Sequence, residues 1–365
     1  MSTTIVILVS AVLLYFLFHP RYGKRPSGKR LALIEKSQQY KNGKFENISF
    51  TPEFTEGYTY FEVFYEFLFK KVERKIPVDR IPSIKNNLAE IPISDDIMVW
   101  FGHSSYYIQI EGKRFLIDPV FSGNASPIYG STRSFKGTDI YDASDFPEID
   151  YLLITHDHYD HLDYKTIMDL KPKIRKVICP LGVGSHFEFW KFPLENIIEK
   201  DWHEKIELDQ NLTLYTTPTR HFSGRSIKRC NTLWTSFVLE AGNFKMFLGG
   251  DGGYDVHYSE IGKKYGPFDI AVIENGQYNE KWKYIHKMPE DVVKAIQDLN
   301  TKRAIPVHSS KFALSLHPWD EPLIKINELN NLVEKPIPLM TPIIGEIVEL
   351  KNEDQKFTQW WVGIQ

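Results

Sequence analysis

The stretch Tyr151-Leu152-Leu153-Ile154-Thr155-His156-Asp157-His158-Tyr159-Asp160-His161 decides the fold. Its first half is a short apolar run of the kind that forms a buried strand. Its second half packs three imidazoles and a carboxylate, His156, His158, His161 and Asp160, into six residues. Core packing does not explain that density at a strand end. A lone histidine is more often a satisfied core or surface residue. Four potential ligands in one loop point instead to a metal site, because neutral imidazole and carboxylate oxygen suit Zn2+ or Fe2+.

One loop cannot enclose two ions, and the same context recurs downstream. His221 follows Leu214-Tyr215-Thr216-Thr217-Pro218-Thr219-Arg220, Asp251 follows Met246-Phe247-Leu248-Gly249-Gly250, and His308 follows Ala304-Ile305-Pro306-Val307. Each alone reads as a turn or surface residue. Their recurrence after β-like runs is the signal. Such runs are expected at 97–101, 106–110, 114–117, 151–155, 176–179, 212–217, 235–239, 245–248, 270–274 and 303–307, with helices near 164–170 and 289–299. Glu111-Gly112-Lys113 reads as a hairpin turn. Many strands with interspersed helices predict a layered α/β domain.

Seven ligands in this order resemble the metallo-β-lactamase-fold hydrolases, whose motif is His-x-His-x-Asp-His followed by a His, a Gly-Asp and a last His. The resemblance covers roughly residues 95–350. It implies a four-layer αββα sandwich with a binuclear site along one sheet edge. By that resemblance His156, His158 and His221 hold one divalent ion, Asp160, His161 and His308 hold the other, and Asp251 bridges them. Zn2+ is the expected metal, with Fe2+ or Mn2+ as alternatives.

Further motifs narrow the resemblance. Phe101-Gly102-His103-Ser104-Ser105, Leu116-Ile117-Asp118-Pro119, Arg220-His221-Phe222-Ser223-Gly224-Arg225 and Ser315-Leu316-His317-Pro318-Trp319-Asp320-Glu321-Pro322 occur in order around the histidine loop. Together they resemble the N-acylphosphatidylethanolamine-hydrolysing phospholipases D and their bacterial, ascorbate-phosphate lactonase-like relatives. That implies a phosphodiesterase acting on phospholipids through a metal-bridging hydroxide. The alternative is a tethered hydrolase of a soluble phosphorylated lactone or ester. The chain departs from the animal enzymes at Glu274-Asn275-Gly276-Gln277-Tyr278-Asn279, and His308 is followed by Ser309-Ser310. Both departures bear on head-group and chain specificity rather than on metal binding.

Other residues take expected roles. His286, before the helix at 289, matches a family position that contacts substrate or protonates a leaving group; the competing reading is structural. Asp118 and Asp163 are expected to orient ligand histidines. His103 contacts the site or the backbone. Arg220 and Arg225 neutralise a phosphate or form ordinary ion pairs. His317 is expected to be structural, and His19, His186, His203 and His257 have no assigned role.

Composition sets the limits. The chain has 365 residues and a net charge of −3, from 44 Lys and Arg against 47 Asp and Glu. That argues against a nucleic-acid binder, which would be strongly basic. Two cysteines, Cys179 and Cys230, exclude a disulfide scaffold and a Cys-rich zinc module. The oligomeric state is not legible. Residues 1–20 read as a single transmembrane anchor, because an apolar run from Thr3 to Phe18 is followed by Arg21, Lys24, Arg25, Lys29 and Arg30. The positive-inside rule then puts the catalytic mass in the cytoplasm. Residues 21–95 form the basic flank and an aromatic-rich helical lead-in, and 96–365 the catalytic domain. Apolar residues at 61, 64, 65, 68 and 72 predict a lead-in helix packed on the main domain. A helix lying at a lipid interface, or walling a lipid groove, is the alternative.

Overall fold

The computed structural model describes all residues except 1–4, 8–9, 11–13, 16–17 and 226–227. A small hairpin, β1 (Tyr40–Lys41) with β2 (Lys44–Phe45), precedes two large mixed sheets. The first sheet contains β3 (Ile97–Trp100), β4 (Tyr106–Ile110), β5 (Lys113–Ile117), β6 (Ile149–Leu153), β7 (Ile174–Pro180), β8 (Ile197–Lys200) and β15 (Ile347–Glu349). Their order is β15-β3-β4-β5-β6-β7-β8. The second contains β9 (Lys205–Asp209), β10 (Leu212–Thr217), β11 (Ser236–Ala241), β12 (Phe244–Leu248), β13 (Ile270–Glu274) and β14 (Ala304–Val307). They run in the order β14-β13-β12-β11-β10-β9. The expected hairpin joins β4 to β5 through Glu111 and Gly112, which both have positive φ (48° and 69°). Two left-handed residues give the twist a two-residue hairpin needs.

Side chains alternate across each strand, and here both faces are covered, so the strands read as unbroken apolar runs. Ile117, Leu153 and Ile178 meet Phe237, Leu248, Val272 and Ile305 between the sheets. Leu116, Leu152 and Val177 point the other way. They lie under Ile167 and Leu170 of α3 (Tyr164–Leu170) and Phe187 of α4 (Gly184–Phe189). On the far side Phe247, Ala271 and Ile273 meet α5 (His257–Tyr265), α6 (Pro289–Asp298) and α7 (Glu321–Asn330) through Tyr258, Ile261, Val292, Ile296 and Ile326. This is the four-layer αββα arrangement.

The lead-in departs from expectation. It holds α1 (Gly28–Ile34) and α2 (Tyr60–Phe69). Ile34 joins Phe45, Trp202, Leu233 and Trp234 in a side core. Arg30 of the basic flank pairs with Glu188 and Glu199 of the catalytic domain. The α2 helix forms where its period predicts, with a capping box between Thr59 and Glu62. Its expected packing is not found: Phe61, Phe64, Tyr65 and Leu68 are all exposed. Among the described residues no helix is long and apolar enough to cross a membrane. The anchor expected over 1–20 falls partly outside the described residues, and Ile5, Val6, Ile7, Leu14, Tyr15 and Phe18 within it are exposed.

Candidate metal centre

The seven expected ligands sit in loops that leave strands at one edge of the two sheets. The β6–α3 loop carries His156, His158, Asp160 and His161. His221 follows β10, Asp251 follows β12 and His308 follows β14. All are buried except His158 and Asp160, which are half-buried and face a cavity.

Their atoms converge. His158 Nδ1 lies 2.9 Å from His156 Nε2 and 3.2 Å from His221 Nε2. Three ring nitrogens that close cannot all be hydrogen-bonded to one another. The spacing approaches the roughly 3.3 Å expected between ligands of one tetrahedral ion. A second group gathers Asp160, His161 and His308, joined by His103. Asp251 stands between the groups. Its Oδ2 is 3.1 Å from His161 Nε2, 3.9 Å from His221 Nε2 and 4.0 Å from His156 Nε2, while its Oδ1 is 3.0 Å from His308 Nδ1.

Electrostatics agree with cation binding. Burial pushes His156, His221 and His308 well below the ordinary imidazole range, into the neutral form that ligates. Burial alone would raise Asp160 and Asp251, but the neighbouring histidine charges outweigh it and hold both ionised. His161 is raised because Asp251, Asp160 and Asp118 outweigh its burial. Two ionised carboxylates, Asp160 and Asp251, then face one raised imidazole, His161, beside the neutral His156, His221 and His308, which leaves net negative charge buried in the cluster. His161 Nε2, His308 Nε2 and Asp251 Oδ1 are buried without a hydrogen-bond partner among the described residues. These orphaned atoms and the N/O donor set fit divalent cations.

Outer contacts fix the rings. Asp118 Oδ2 accepts from His161 Nδ1 at 2.7 Å, and its carboxylate also holds Thr155 N (2.9 Å) and Oγ1 (2.6 Å). His221 Nδ1 is 2.9 Å from the Ile285 carbonyl. Ser104 Oγ is 2.9 Å from His308 Nδ1. His103 and His308 both adopt positive φ (52° and 68°), and their loops are zipped by His103 N to Ser309 O and His308 N to His103 O. Such left-handed residues cost on the order of 1 kcal/mol each and persist where surrounding bonds impose them. Asp251 sits in a glycine run because a Cβ on Gly252 would overlap Thr219 Oγ1.

His103 does both things expected of it, bonding the backbone and, through Nε2, Asp160 Oδ2 at 3.0 Å. Three other expectations are corrected. Asp163 orients no ligand histidine; its carboxylate accepts from Lys165 N, Ser122 N and Thr166 Oγ1 and starts α3. Arg225 is buried and donates to the carbonyls of Asp157, Leu162 and Arg21, so it is not offered to a phosphate. Arg220 donates to Thr51, Tyr254 O and Phe50 O, lies over the Tyr284 ring and pairs with Asp255 at 3.9 Å, so the ion-pair alternative holds and only the phosphate role is corrected. A guanidinium buried beside free carbonyls satisfies them first. His317 is structural, accepting from Gln277 N at 2.9 Å.

The cavity over the cluster measures about 270 Å³. Phe54, Phe222, Trp282, Ile285 and Leu314 form its apolar walls, and Arg229, Gln277 and His286 its polar ones. His286 Nδ1 is 2.7 Å from Glu274 Oε1, and the other oxygen of that carboxylate, Oε2, accepts from the buried Lys287. Sequence reasoning missed Arg229 and gave Glu274 and Gln277 no individual role, marking only their stretch, 274–279, as bearing on specificity. Glu274 also carried a signal as a carboxylate ending a buried strand.

Comparisons with known proteins agree with this geometry. The model of the beta-lactamase superfamily domain matches residues 113–309. An uncharacterized protein of Mycobacterium tuberculosis is 33% identical over 336 residues, 90% of this chain and 89% of its own. The N-acyl-phosphatidylethanolamine-hydrolyzing phospholipase D 1 of Caenorhabditis elegans is 30% identical over 318 residues, 78% of this chain and 88% of its own. Among solved structures, the metallo hydrolase Igni18 of Ignicoccus hospitalis shares the fold over 70% of this chain and 98% of its own, with a TM-score of 0.52 at 19% identity. Sequence family and fold thus make one statement: the chain belongs to the beta-lactamase superfamily, as one of its metal-dependent hydrolases.

Proposed function

We propose that the chain is a phosphodiesterase of phospholipase D type, cleaving N-acylphosphatidylethanolamine-like phospholipids at a two-metal site. The observation that carries this reading is the cavity itself, where a cation-binding floor meets apolar walls and one arginine. That combination suits an amphiphile with a phosphodiester at its polar end. The resemblance to the worm phospholipase supports it.

In this reading His156, His158 and His221 hold one ion, Asp160, His161 and His308 the other, and Asp251 is shared. When bound, such a pair supplies Lewis acidity and a water of lowered pKa. The chain does the rest. Asp118, the Ile285 carbonyl and Ser104 keep the rings in their ligating orientation. Arg229, held by Glu53 at 3.0 Å, places a guanidinium beside the phosphodiester. Glu274 accepts from Nδ1–H of His286 and favours its protonated form, so the imidazolium can give its Nε2 proton to the departing alkoxide and be left neutral. The apolar walls exclude water from the acyl side. Anchoring through residues 1–20, with the catalytic mass in the cytoplasm, belongs to the same proposal.

The modest cavity favours a second reading, a soluble phosphorylated lactone or ester, since pockets for larger ligands usually exceed about 300 Å³. One experiment separates them. Full-length protein is depleted of metal, reloaded with Zn2+, and assayed on N-acylphosphatidylethanolamine in mixed micelles and on small esters and lactones. Release of N-acylethanolamine that is lost on depletion, restored by Zn2+ and abolished in Asp160→Asn is expected. Turnover of the small substrates alone would refute the phospholipase reading.

A further inference from the structure

We propose that α2 docks the protein on an anionic lipid bilayer and brings the mouth of the metal-site cavity to its surface. Eight of the ten residues in Tyr60–Phe69 are Tyr, Phe, Val or Leu. None is buried: Phe61 is 77% exposed, Phe64 65% and Phe69 65%. A water-facing helix normally turns a polar face outward. Here both acids are engaged by neighbours. Glu62 closes the cap with Thr59, and Glu66 pairs with Lys281 at 2.5 Å and Lys70 at 3.6 Å. Phe50, Ile76 and Val78, in the segments before and after the helix, are exposed as well.

Charge selects the occupant. Lys70, Lys71, Arg74 and Lys75 follow the helix against a single acid, Glu73. Arg74 is engaged by Asp320, while Lys75 lies 4.8 Å over the Phe67 ring. Lysines ending an aromatic helix match an interface of acyl chains below anionic headgroups. Ten residues give a helix of about 15 Å, too short to span a bilayer but suited to lying in its surface. Position gives the docking a use. Thr55 N donates to Lys281 O at 2.7 Å, and the Phe54 ring, which lines the cavity, meets the Tyr60 ring at 4.8 Å. The helix is therefore fixed at the cavity mouth. Docking rests on this surface alone; only its benefit to catalysis rests on the phospholipase reading.

Hydrogen exchange of the full-length protein tests the idea at α2 itself, whatever residues 1–20 do. Amides of 60–69 are followed without vesicles, with phosphatidylcholine vesicles, and with phosphatidylcholine–phosphatidylglycerol vesicles. Protection is expected with the anionic vesicles. Lys70→Gln with Lys71→Gln should weaken it roughly tenfold or more, at about 1 kcal/mol per cation near an anionic surface. Phe61→Ser with Phe64→Ser should abolish it while far-UV circular dichroism stays unchanged. Absent protection, equal protection on neutral vesicles, or protection that grows with protein concentration without lipid would each overturn the proposal, the last by assigning the face to a second copy of the chain. Vesicle protection without N-acylphosphatidylethanolamine turnover would refute the phospholipase reading and leave docking standing. Turnover in micelles without vesicle protection would do the reverse.

Discussion

Replacing Asp118 by Asn tests whether one buried carboxylate sets the metal affinity of the site. Asp118 is 1% exposed, and its carboxylate has three hydrogen-bond partners: His161 Nδ1, Thr155 N and Thr155 Oγ1. Its φ of 43° is one that Asn tolerates and Ala does not, so Asn leaves the backbone alone. Asparagine has one oxygen for donors that now share two. If that oxygen stays on the Thr155 amide, the new NH2 faces His161 Nδ1–H, donor against donor. His161 must then change tautomer or turn its ring, which moves Nε2 away from Asp251, now 3.1 Å distant. Losing such an outer partner weakens metal binding about 10- to 100-fold. That is about 1.4 to 2.7 kcal/mol. The assay titrates metal-free protein with Zn2+ against a chromophoric chelator. Unchanged Zn2+ affinity in Asp118→Asn would refute the claim that Asp118 orients His161.

Four more outcomes are expected. Glu274→Gln leaves Lys287 buried without a counter-charge and should cost roughly 3–5 kcal/mol in urea unfolding, whereas the double variant with Lys287→Met should cost less; a double variant as unstable as the sum breaks the argument. Asp163→Ala should lose about 1–2 kcal/mol of stability through the start of α3 yet keep Zn2+ affinity, and a fall in affinity would restore a ligand-orienting role. Asn47 donates to His221 O and accepts from His221 N and Trp234 Nε1, so Asn47→Ala should weaken one of the two Zn2+ steps and lower stability by about 1–3 kcal/mol. Burial would raise Asp157, but the bond and charge of His186 outweigh it and hold its carboxyl at about 2. A depressed carboxyl stabilises above its unfolded value and loses that as pH falls, so the stability gap between wild type and Asp157→Asn, about 2 kcal/mol, should close between about pH 4 and pH 2. A gap constant across that window would contradict it.

What was legible follows from how each residue is held. The proposed metal ligands follow buried strands, so an apolar run announces each of these: β6 before His156, β12 before Asp251, β14 before His308. Strands covered on both faces are also easy to read. The missed strands β8, β9 and β15 are short and carry charges or lie at a sheet edge, as in Ile197-Ile198-Glu199-Lys200, so neither an apolar run nor a long alternation marks them. Arg220 and Arg225 looked available because sequence shows a charge and not its neighbours. In the fold, backbone carbonyls of Asp157, Leu162 and Phe50 reach them first. The period of α2 was correct, but period gives the face of a helix and says nothing of whether anything covers it.

The lead-in shows where a division drawn on sequence loses information. Its aromatic density suggested a segment packed beside the catalytic domain, yet several of its polar atoms reach the site. Asn47 clamps the backbone of His221 from both sides, and Thr51 and Phe50 hold the neighbouring Arg220. Glu53 fixes Arg229, and Phe54 forms part of the cavity wall. On the other flank Arg225, three residues beyond the aromatic partner of His158, donates to the carbonyl of Arg21. Among the described residues the loop carrying His221 leaves β10 without a following helix to stiffen it, unlike the β6–α3 loop, whose end is fixed by Asp163. Residues 21–54 supply that stiffness from outside the sheets. The third imidazole of the His156–His158–His221 group is therefore positioned by a segment that contributes no ligand, and the same segment delivers the chain to α2 at the cavity mouth.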